Sequence, residues 1–261
     1  MIKINTDGIY FEYKETLAPE QKSFFPHLHS DYELFYFTEG DVEYIVGESV
    51  YRLQKNDLLL IRPSVYHYPR ILSQKKYIRT IVNFPKEFLA DARLPDENGP
   101  VRFRLPPSGN MANLFKCAID AIERFSETEA FSAIRHILNL IFLYLKFDDR
   151  QEADPSDAIH PLLSDILHYI DENLRSPLSV RELSDKFFIS PSWLTHAFQK
   201  HLHIGVMQYI TRKKILYAQS LIRSGTPPTE AAKTCALDNY STFYRQYKRC
   251  LGIQPKNDRR Q

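Results

Sequence analysis

The chain has 261 residues, 43% hydrophobic and 25% charged with a formal net charge of +2, which fits a folded protein with room for two ordinary domains and excludes a disordered one. The longest apolar stretch, residues 137–145, is broken by Asn139 and has half the length of a membrane span, and Met1-Ile2-Lys3-Ile4-Asn5 lacks the apolar core of a signal peptide, so no membrane partner is expected. Cys117, Cys235 and Cys250 are odd in number and lack metal-ligand spacing, which predicts buried thiols in a reducing cytoplasm.

The first hundred residues read as short strands with turn signals between them. Leu34-Phe35-Tyr36-Phe37 runs into the turn Glu39-Gly40-Asp41, and Val42-Glu43-Tyr44-Ile45-Val46 follows with near-alternation. Gly47-Glu48 then turns into residues 49–53, Lys55-Asn56-Asp57 into residues 58–61, and residues 77–84 supply a later strand. Many short strands rich in Tyr, Val and Ile indicate a β-sandwich or small barrel over residues 1–107. The pattern changes near Pro106-Pro107-Ser108. Residues 109–127 and 130–147 show helical spacing, as in Ile134, Ile137, Leu138, Ile141, Phe142 and Leu145. This helical segment, 108–148, carries more apolar surface than one side of a small barrel covers, so it forms either a dimer seam or a layer on its own barrel. The polar run that follows places a linker at 149–157.

From residue 158 to 261 everything reads as helix. Leu163, Ile166, Leu167, Ile170 and Leu174 form one stripe, ended by Arg175-Ser176-Pro177. Ser179 and Glu182 make a capping box, with Leu178 and Leu183 spaced as its hydrophobic staple. Ser190 is an N-cap with Pro191 at the first helical position, and Ile189 with Leu194 repeats the staple. Two helix starts eleven residues apart force a short helix and a tight turn, with Phe188 and Ile189 in the turn. That is helix-turn-helix geometry. A long helix over residues 206–224 is stopped by Gly225, and Thr226-Pro227-Pro228 opens a second unit. Leu183, Phe187 and Ile189 recur 48 residues later as Ala231, Cys235 and Leu237, while Leu194 and Phe198 recur after 49 as Phe243 and Tyr247. The two units span about 179–201 and 228–250.

Residues 159–261 hold 15 Lys/Arg against 8 Asp/Glu, and residues 1–158 hold 19 against 24. A basic half on an acidic half suits double-stranded DNA as partner, although a solvated basic face gives the same count. With Leu194 and Phe198 in the core, Ser192, Thr195, His196 and Gln199 point outward; with Phe243 and Tyr247 in the core, so do Tyr240, Ser241, Tyr244, Arg245 and Lys248. Arg245 suits bidentate recognition of guanine. Lys200, Lys248, Arg249 and the N-termini of both units suit phosphate contacts. Trp193 is expected to pack at a helix edge.

The segment from Ile166, Tyr169, Ile170, Asn173 and Leu174 to Gly252-Ile253-Gln254-Pro255 resembles the DNA-binding domain of AraC-type (AraC/XylS) transcription regulators. Pro177-Leu178-Ser179, Glu182-Leu183, Phe187, Ile189-Ser190, Leu194, Phe198, Tyr209, Ala218, Leu221, Glu230, Ala232, Asp238, Phe243, Lys248, Gly252 and Pro255 carry the likeness over about 90 residues. In that family both recognition helices enter successive major-groove segments, which implies base readers among Ser192, Thr195, His196, Tyr240, Ser241, Tyr244 and Arg245. His203 stands where glycine is usual, Lys214 where arginine is, and Ala231, Ala236 and Leu237 where Ile, Gly and Phe are. The last three imply a second unit that is less stable or differently angled.

Residues His27-Leu28-His29-Ser30-Asp31-Tyr32-Glu33, then Gly40, then Pro63-Ser64-Val65-Tyr66-His67, resemble the cupin pattern, in which three His and a Glu line a barrel and hold a metal. Chemically, three imidazoles and a carboxylate suit a divalent Fe, Mn, Ni or Zn ion. AraC-type regulators with cupin-like N-terminal domains keep this pattern while using the barrel for an effector, so the resemblance implies a metal-free effector site at His27, His29, Glu33, Tyr36, Tyr44 and His67. A metal on His27, His29, Glu33 and His67 is the alternative. Tyr66 and Tyr68 offer further stacking faces, and Arg62 and Arg79 either pair with an anionic effector or form surface salt bridges.

The expected fold class is α+β: a cupin-like β-barrel (jelly roll) followed by helices, then an all-α double helix-turn-helix domain. The expected function is a ligand-responsive, sequence-specific transcription regulator of carbohydrate uptake or metabolism genes. It would be cytoplasmic and homodimeric, would bind a sugar, need no cofactor, and meet RNA polymerase if an activator. No Ser-His-Asp arrangement, glycine-rich phosphate loop or nucleophile argues for an enzyme. The alternatives are a metal-dependent cupin enzyme fused to a DNA-binding domain, or a dimeric DNA-binding protein without a ligand.

Overall fold

Alternation along the strands decides what each sheet face covers. The computed structural model describes residues 1–6, 8–89, 102–104, 110–147, 151–152, 157–158 and 160–258. The chain divides into two units, Met1–Asp157 and Ala158–Gln261. The first contains strands β1 (Ile2–Thr6), β2 (Ile9–Thr16), β3 (Tyr32–Glu39), β4 (Val42–Val46), β5 (Ser49–Arg52), β6 (Asp57–Ile61), β7 (His67–Ile71), β8 (Tyr77–Phe84), β9 (Arg102–Arg104) and β10 (Gln151–Glu152), while β11 (Asp157–Ala158) begins at its end. One sheet has the order β1-β2-β8-β3-β6-β9-β10 and the other β11-β5-β4-β7. Phe35 and Phe37 of β3, Leu59 and Ile61 of β6 and Tyr77 of β8 meet Tyr44 and Tyr51 of the second sheet in one core. The alternate residues, Leu34 and Tyr36 of β3, Leu58 and Leu60 of β6, and Val82 and Phe84 of β8, face α1 (Met111–Arg124) and α2 (Glu127–Phe147). The larger sheet is therefore covered on both faces, which is why Leu58-Leu59-Leu60-Ile61 is apolar without alternation.

β1, β2 and β7 have no counterpart among the expected strands. Pro69 sits inside β7, where a missing N–H is tolerated because β7 ends its sheet. The Gln21 side chain takes up that edge, donating to Pro69 O (3.1 Å) and accepting from Ile71 N (2.8 Å). At the β3–β4 turn Gly40 has φ 146°, and a Cβ there would lie 3.1 Å from the Tyr77 ring and 3.3 Å from Phe37, so the turn needs glycine.

Ile134, Leu138, Ile141, Phe142 and Leu145 of α2 are buried in the core under the larger sheet, so this stripe packs on its own barrel. Leu140, Leu143 and Tyr144 remain exposed. The expected change at Pro106-Pro107-Ser108 lies outside the described residues, as do 148–150 and 153–156 of the polar run. The rest of the expected linker is not free chain. Gln151 and Glu152 pair with Arg104 and Phe103, and Asp157 belongs to β11. Backbone pairing needs no apolar pattern, so composition could not reveal it.

The second unit holds α3 (Pro161–Glu172), α4 (Val180–Lys186), α5 (Pro191–Leu202), α6 (Val206–Arg223), α7 (Pro228–Thr234) and α8 (Tyr240–Leu251). Ser179 Oγ accepts from Glu182 N (3.1 Å), Ser190 Oγ from Trp193 N (3.0 Å) and Asn239 Oδ1 from Thr242 N (2.9 Å). Each cap contributes about 1 kcal/mol and fixes where α4, α5 and α8 begin. His203 and Ala236, at positions where the family resemblance implies glycine, take left-handed φ of 52° and 51°. Ala231, Ala232 and Cys235 pack with Ile215, Ala218, Ile222, Phe243 and Tyr247. The buried Asp258 carboxylate adds a node that no motif signals, accepting from Tyr247 Oη (2.8 Å), Gln219 Nε2 (2.6 Å) and Arg223 Nε (2.8 Å). Of the expected buried thiols only Cys235 is buried; Cys117 is exposed and Cys250 half-buried, because both lie toward the outer sides of their helices.

Candidate DNA-reading helices and effector cluster

In α5, Leu194, Ala197 and Phe198 are buried while Ser192, Thr195, His196, Gln199 and Lys200 are exposed. The 3.6-residue period puts these five on the side away from the core. Thr195 Oγ1 donates to Pro191 O (2.8 Å), so its proton is committed to its own helix and its oxygen is left to accept. In α8, Phe243 and Tyr247 are buried, and Tyr240, Ser241, Arg245 and Lys248 are exposed. Tyr244 is half-buried, which narrows its reach. Arg245 Nη2 touches Thr242 Oγ1 only at 3.5 Å, so the guanidinium fork stays available. Trp193 is half-buried, its ring edge-on to His160 with centroids 5.7 Å apart.

In the first unit, the backbones of His27 and His67 exchange hydrogen bonds (His27 N to His67 O, 3.1 Å; His67 N to His27 O, 2.9 Å), which brings two distant segments together. His29 Nε2 lies 3.2 Å from Glu33 Oε2, His67 Nε2 lies 3.5 Å from the same oxygen, and Tyr44 Oη donates to Glu33 Oε1 at 3.2 Å. Each imidazole rests Nδ1 on a backbone carbonyl: His27 on Phe25 O (2.9 Å), His29 on Asp31 O (2.9 Å) and His67 on Val65 O (2.8 Å). That arrangement fixes Nδ1–H as donor and leaves Nε2 as the ring nitrogen that meets Glu33 or a further partner. The donor atoms of His27, His29, Glu33 and His67 all lie within 4.8 Å of one another, a set able to hold a divalent ion.

Burial, reinforced by neighbouring His67, lowers His27 to about 4, so this ring is neutral near pH 7. Burial also opposes charge on His29, but the Glu33 carboxylate outweighs it and leaves His29 raised. Glu33 is held well below the usual carboxylate range: burial pushes it up, and His67 and His29 overcome that. Tyr44 is pushed far up by burial and then by Glu33. The cluster thus favours an ionised carboxylate among imidazoles.

Tyr36 does not belong to this group. Glu33 and Tyr36 stand on opposite faces of β3, and the Tyr36 ring stacks on Phe115 of α1 (4.5 Å) with its hydroxyl donating to Asn56 Oδ1 (2.8 Å). An odd spacing of three residues along a strand reverses the side, so the expected placement of Tyr36 beside the histidines is corrected. Arg79 is no surface charge either. It is buried, with Nη2 on Glu12 Oε1 at 2.8 Å. Glu12 was not singled out as a site residue, although a glutamate and an arginine inside apolar strands are a readable signal. Tyr66 and Tyr68 are buried edge-to-face against each other (6.1 Å), with Tyr68 on the face of β7 opposite His67.

A family model described as an AraC-like ligand binding domain matches residues 12–140, and one described as a helix-turn-helix domain matches residues 183–261. Over 212 residues the chain is 25% identical to the uncharacterized HTH-type transcriptional regulator YfiF of Bacillus subtilis (strain 168), covering 76% of this chain and 67% of that protein. It is 24% identical over 255 residues to the HTH-type transcriptional activator RhaR of Cronobacter sakazakii, covering 92% of this chain and 88% of that one. The match to the uncharacterized HTH-type transcriptional regulator YijO of Escherichia coli (strain K12) is 30% identical over 112 residues and spans only 38% of that protein. Among solved structures, ToxT from Vibrio cholerae O395 is 11% identical with a TM-score of 0.39, covering 96% of each chain. With an effector-binding domain ahead of a DNA-binding helix-turn-helix domain and transcription regulators as relatives, the chain belongs to the AraC family of transcription regulators.

Proposed function

We propose that this regulator is ligand-responsive and sequence-specific, reading DNA with α5 and α8 and sensing a small molecule at the His27, His29, Glu33, Tyr44 and His67 cluster. The observation that carries the DNA reading is that both helices are capped at their N-termini and turn an unbroken polar face outward, Ser192, Thr195, His196, Gln199 and Lys200 on one, Tyr240, Ser241, Arg245 and Lys248 on the other. Arg245 takes the guanine-reading role, and Lys200 and Lys248 the phosphates. The effector is a hydroxylated molecule of the sugar class, acting in the cytoplasm on carbohydrate genes through a homodimer. The exposed Leu140, Leu143 and Tyr144 of α2 supply a face for that dimer. An effector shifts DNA occupancy only through different affinities for two states of the protein. On a fragment carrying its own promoter region, Arg245→Ala should cost about 1–3 kcal/mol, a loss of roughly 5–150-fold, and relax preference at one base pair. Equal binding by the variant, or binding insensitive to salt, removes the reading.

A second reading is favoured by the convergence of four donor groups: a divalent metal sits on His27, His29, Glu33 and His67 and forms part of effector recognition or, in an enzyme fused to a DNA-binding domain, of catalysis. Elemental analysis after metal-free purification and defined reloading tests it. Stoichiometric metal that His27→Ala abolishes supports it; metal at background level in both proteins refutes it.

A further inference from the structure

On the face of the larger sheet turned away from the histidine cluster, the helices leave a gap. Tyr13 of β2, Thr80 of β8 and Tyr36 of β3 stand opposite one another on three adjacent strands, so a small side chain lies between two rings. Over that row α1 presents Ala112, Phe115, Lys116 and Ile119, a single helical face in which alanine is again small. Between them lies a pocket of about 590 Å³, one wall of which is the stacked pair Tyr36 and Phe115 (4.5 Å). It is separate from the histidine cluster, because Tyr36 and Glu33 stand on opposite faces of β3.

The turn between β5 and β6 supplies a polar edge. Asn56 takes a left-handed φ of 73°, which asparagine accepts more readily than most residues, and the consecutive Lys55 and Asn56 both line the pocket. Asn56 is 9% exposed. Its Oδ1 accepts from Tyr36 Oη (2.8 Å), while Nδ2 has no partner among the described residues and is not sealed off by protein. Lys55 and Lys116 are exposed where they line the pocket, and neither is ion-paired among the described residues. Glu15, two residues along β2 from Tyr13, is already engaged, accepting from Tyr13 Oη and pairing with Lys76 at 3.2 Å.

Three N–H donors thus surround an apolar floor without an acceptor of their own. The group that answers all three is an anion that only accepts, since charge-assisted hydrogen bonds are about twice as strong as neutral ones. Exposed lysines alone hold an anion weakly; the amide at the edge of a ring-lined pocket adds a fixed direction. Tyr13, Tyr36 and Phe115 wall the remaining space with rings, which favours a flat apolar body over a hydroxylated one.

We propose that this pocket is a second small-molecule site, for a planar aromatic carboxylate, with the carboxylate on Lys55, Lys116 and Asn56 Nδ2 and the rings beside Tyr36 and Phe115. The volume suits a body of about two fused rings.

The test pairs acids with neutral amides, indole-3-acetate with indole-3-acetamide and 2-naphthoate with 2-naphthamide, in calorimetric titrations of the full chain. At least one acid is expected to bind about tenfold or more tightly than its amide, the size of one charge-assisted hydrogen bond. The double variant Lys55→Gln, Lys116→Gln changes only exposed side chains and should bring acid and amide within about threefold. Ala112→Leu, which adds bulk to the pocket wall, should weaken the acid about fivefold or more while the protein melts as the parent does. An acid that binds no better than its amide, or binds with no dependence on the two lysines, overturns the carboxylate site. Decanoate binding more tightly than both aromatic acids overturns the planar body, and the absence of binding by either acid overturns the proposal. The reading of the histidine cluster is untouched by these outcomes, because none of the varied residues belongs to it.

Discussion

Truncating Asp258 to alanine should destabilise the C-terminal unit far more than its place near the chain end suggests. Its buried carboxylate is the acceptor for Tyr247 Oη, Gln219 Nε2 and Arg223 Nε. Alanine leaves the first two donors enclosed without acceptors, at about 1–2 kcal/mol each. Arg223, with 24% of its side chain exposed, regains water, so its lost ion pair adds only about 0.5 kcal/mol after screening. The total is about 3 kcal/mol, enough to lower the melting point of a unit this size by roughly 10 °C or more. Trp193 is the single tryptophan and lies on α5, so urea unfolding followed by its fluorescence reports this unit alone. Tyr247→Phe removes one donor and leaves Asp258 two others, so it should cost about 1 kcal/mol. An unchanged midpoint for Asp258→Ala, or an equal loss for Tyr247→Phe, would refute the reasoning.

Lys214 Nζ donates to Ser176 O (2.7 Å) and Cys235 O (2.9 Å), tying the segment between α3 and α4 to the turn of the second helix-turn-helix, and Lys214→Met should cost about 2 kcal/mol in the same urea assay. Burial lowers Lys214 from its ordinary 10.5, so the folded chain binds fewer protons than the unfolded one between the lowered value and 10.5; stability contributed by this residue rises with pH through that window, and the variant lacks the rise. Ala236→Gly relieves a left-handed residue and should stabilise the second unit by about 0.5–1 kcal/mol, a gain read as a higher melting temperature. Tyr36→Phe should cost about 1 kcal/mol through Asn56 yet leave effector affinity unchanged, whereas Tyr44→Phe strips a donor from Glu33 and weakens it; calorimetry giving the reverse order would restore Tyr36 to the site.

The helical half was legible because its signals are local. Ser179, Ser190 and Pro191 announce helix starts, and the recurrence of core positions from Leu183–Phe198 in Ala231–Tyr247 announces a second unit. The exposed faces of α5 and α8 follow from a 3.6-residue period once Leu194, Phe198, Phe243 and Tyr247 are placed inside. Asp258 escaped notice because it pairs with residues on two other elements. In the strand half, His27, His29, Glu33 and His67 were found as a motif, while Tyr36 was misplaced, Glu12 overlooked and the pairing of Gln151–Glu152 with β9 unforeseen.

What this chain's sequence determined by itself is the tandem helix-turn-helix, the caps that frame it, and a set of metal- or ligand-capable side chains in a β-rich half. Each depends on neighbours a few residues apart, and such spacing is written directly in the order of residues. The tertiary structure alone decided which side of β3 faces the second sheet, that α2 lies on the barrel, and that Arg79 ends inside, paired with Glu12. Those outcomes depend on which strands pair and in what register, and a shift of one residue would send every one of those side chains to the other face.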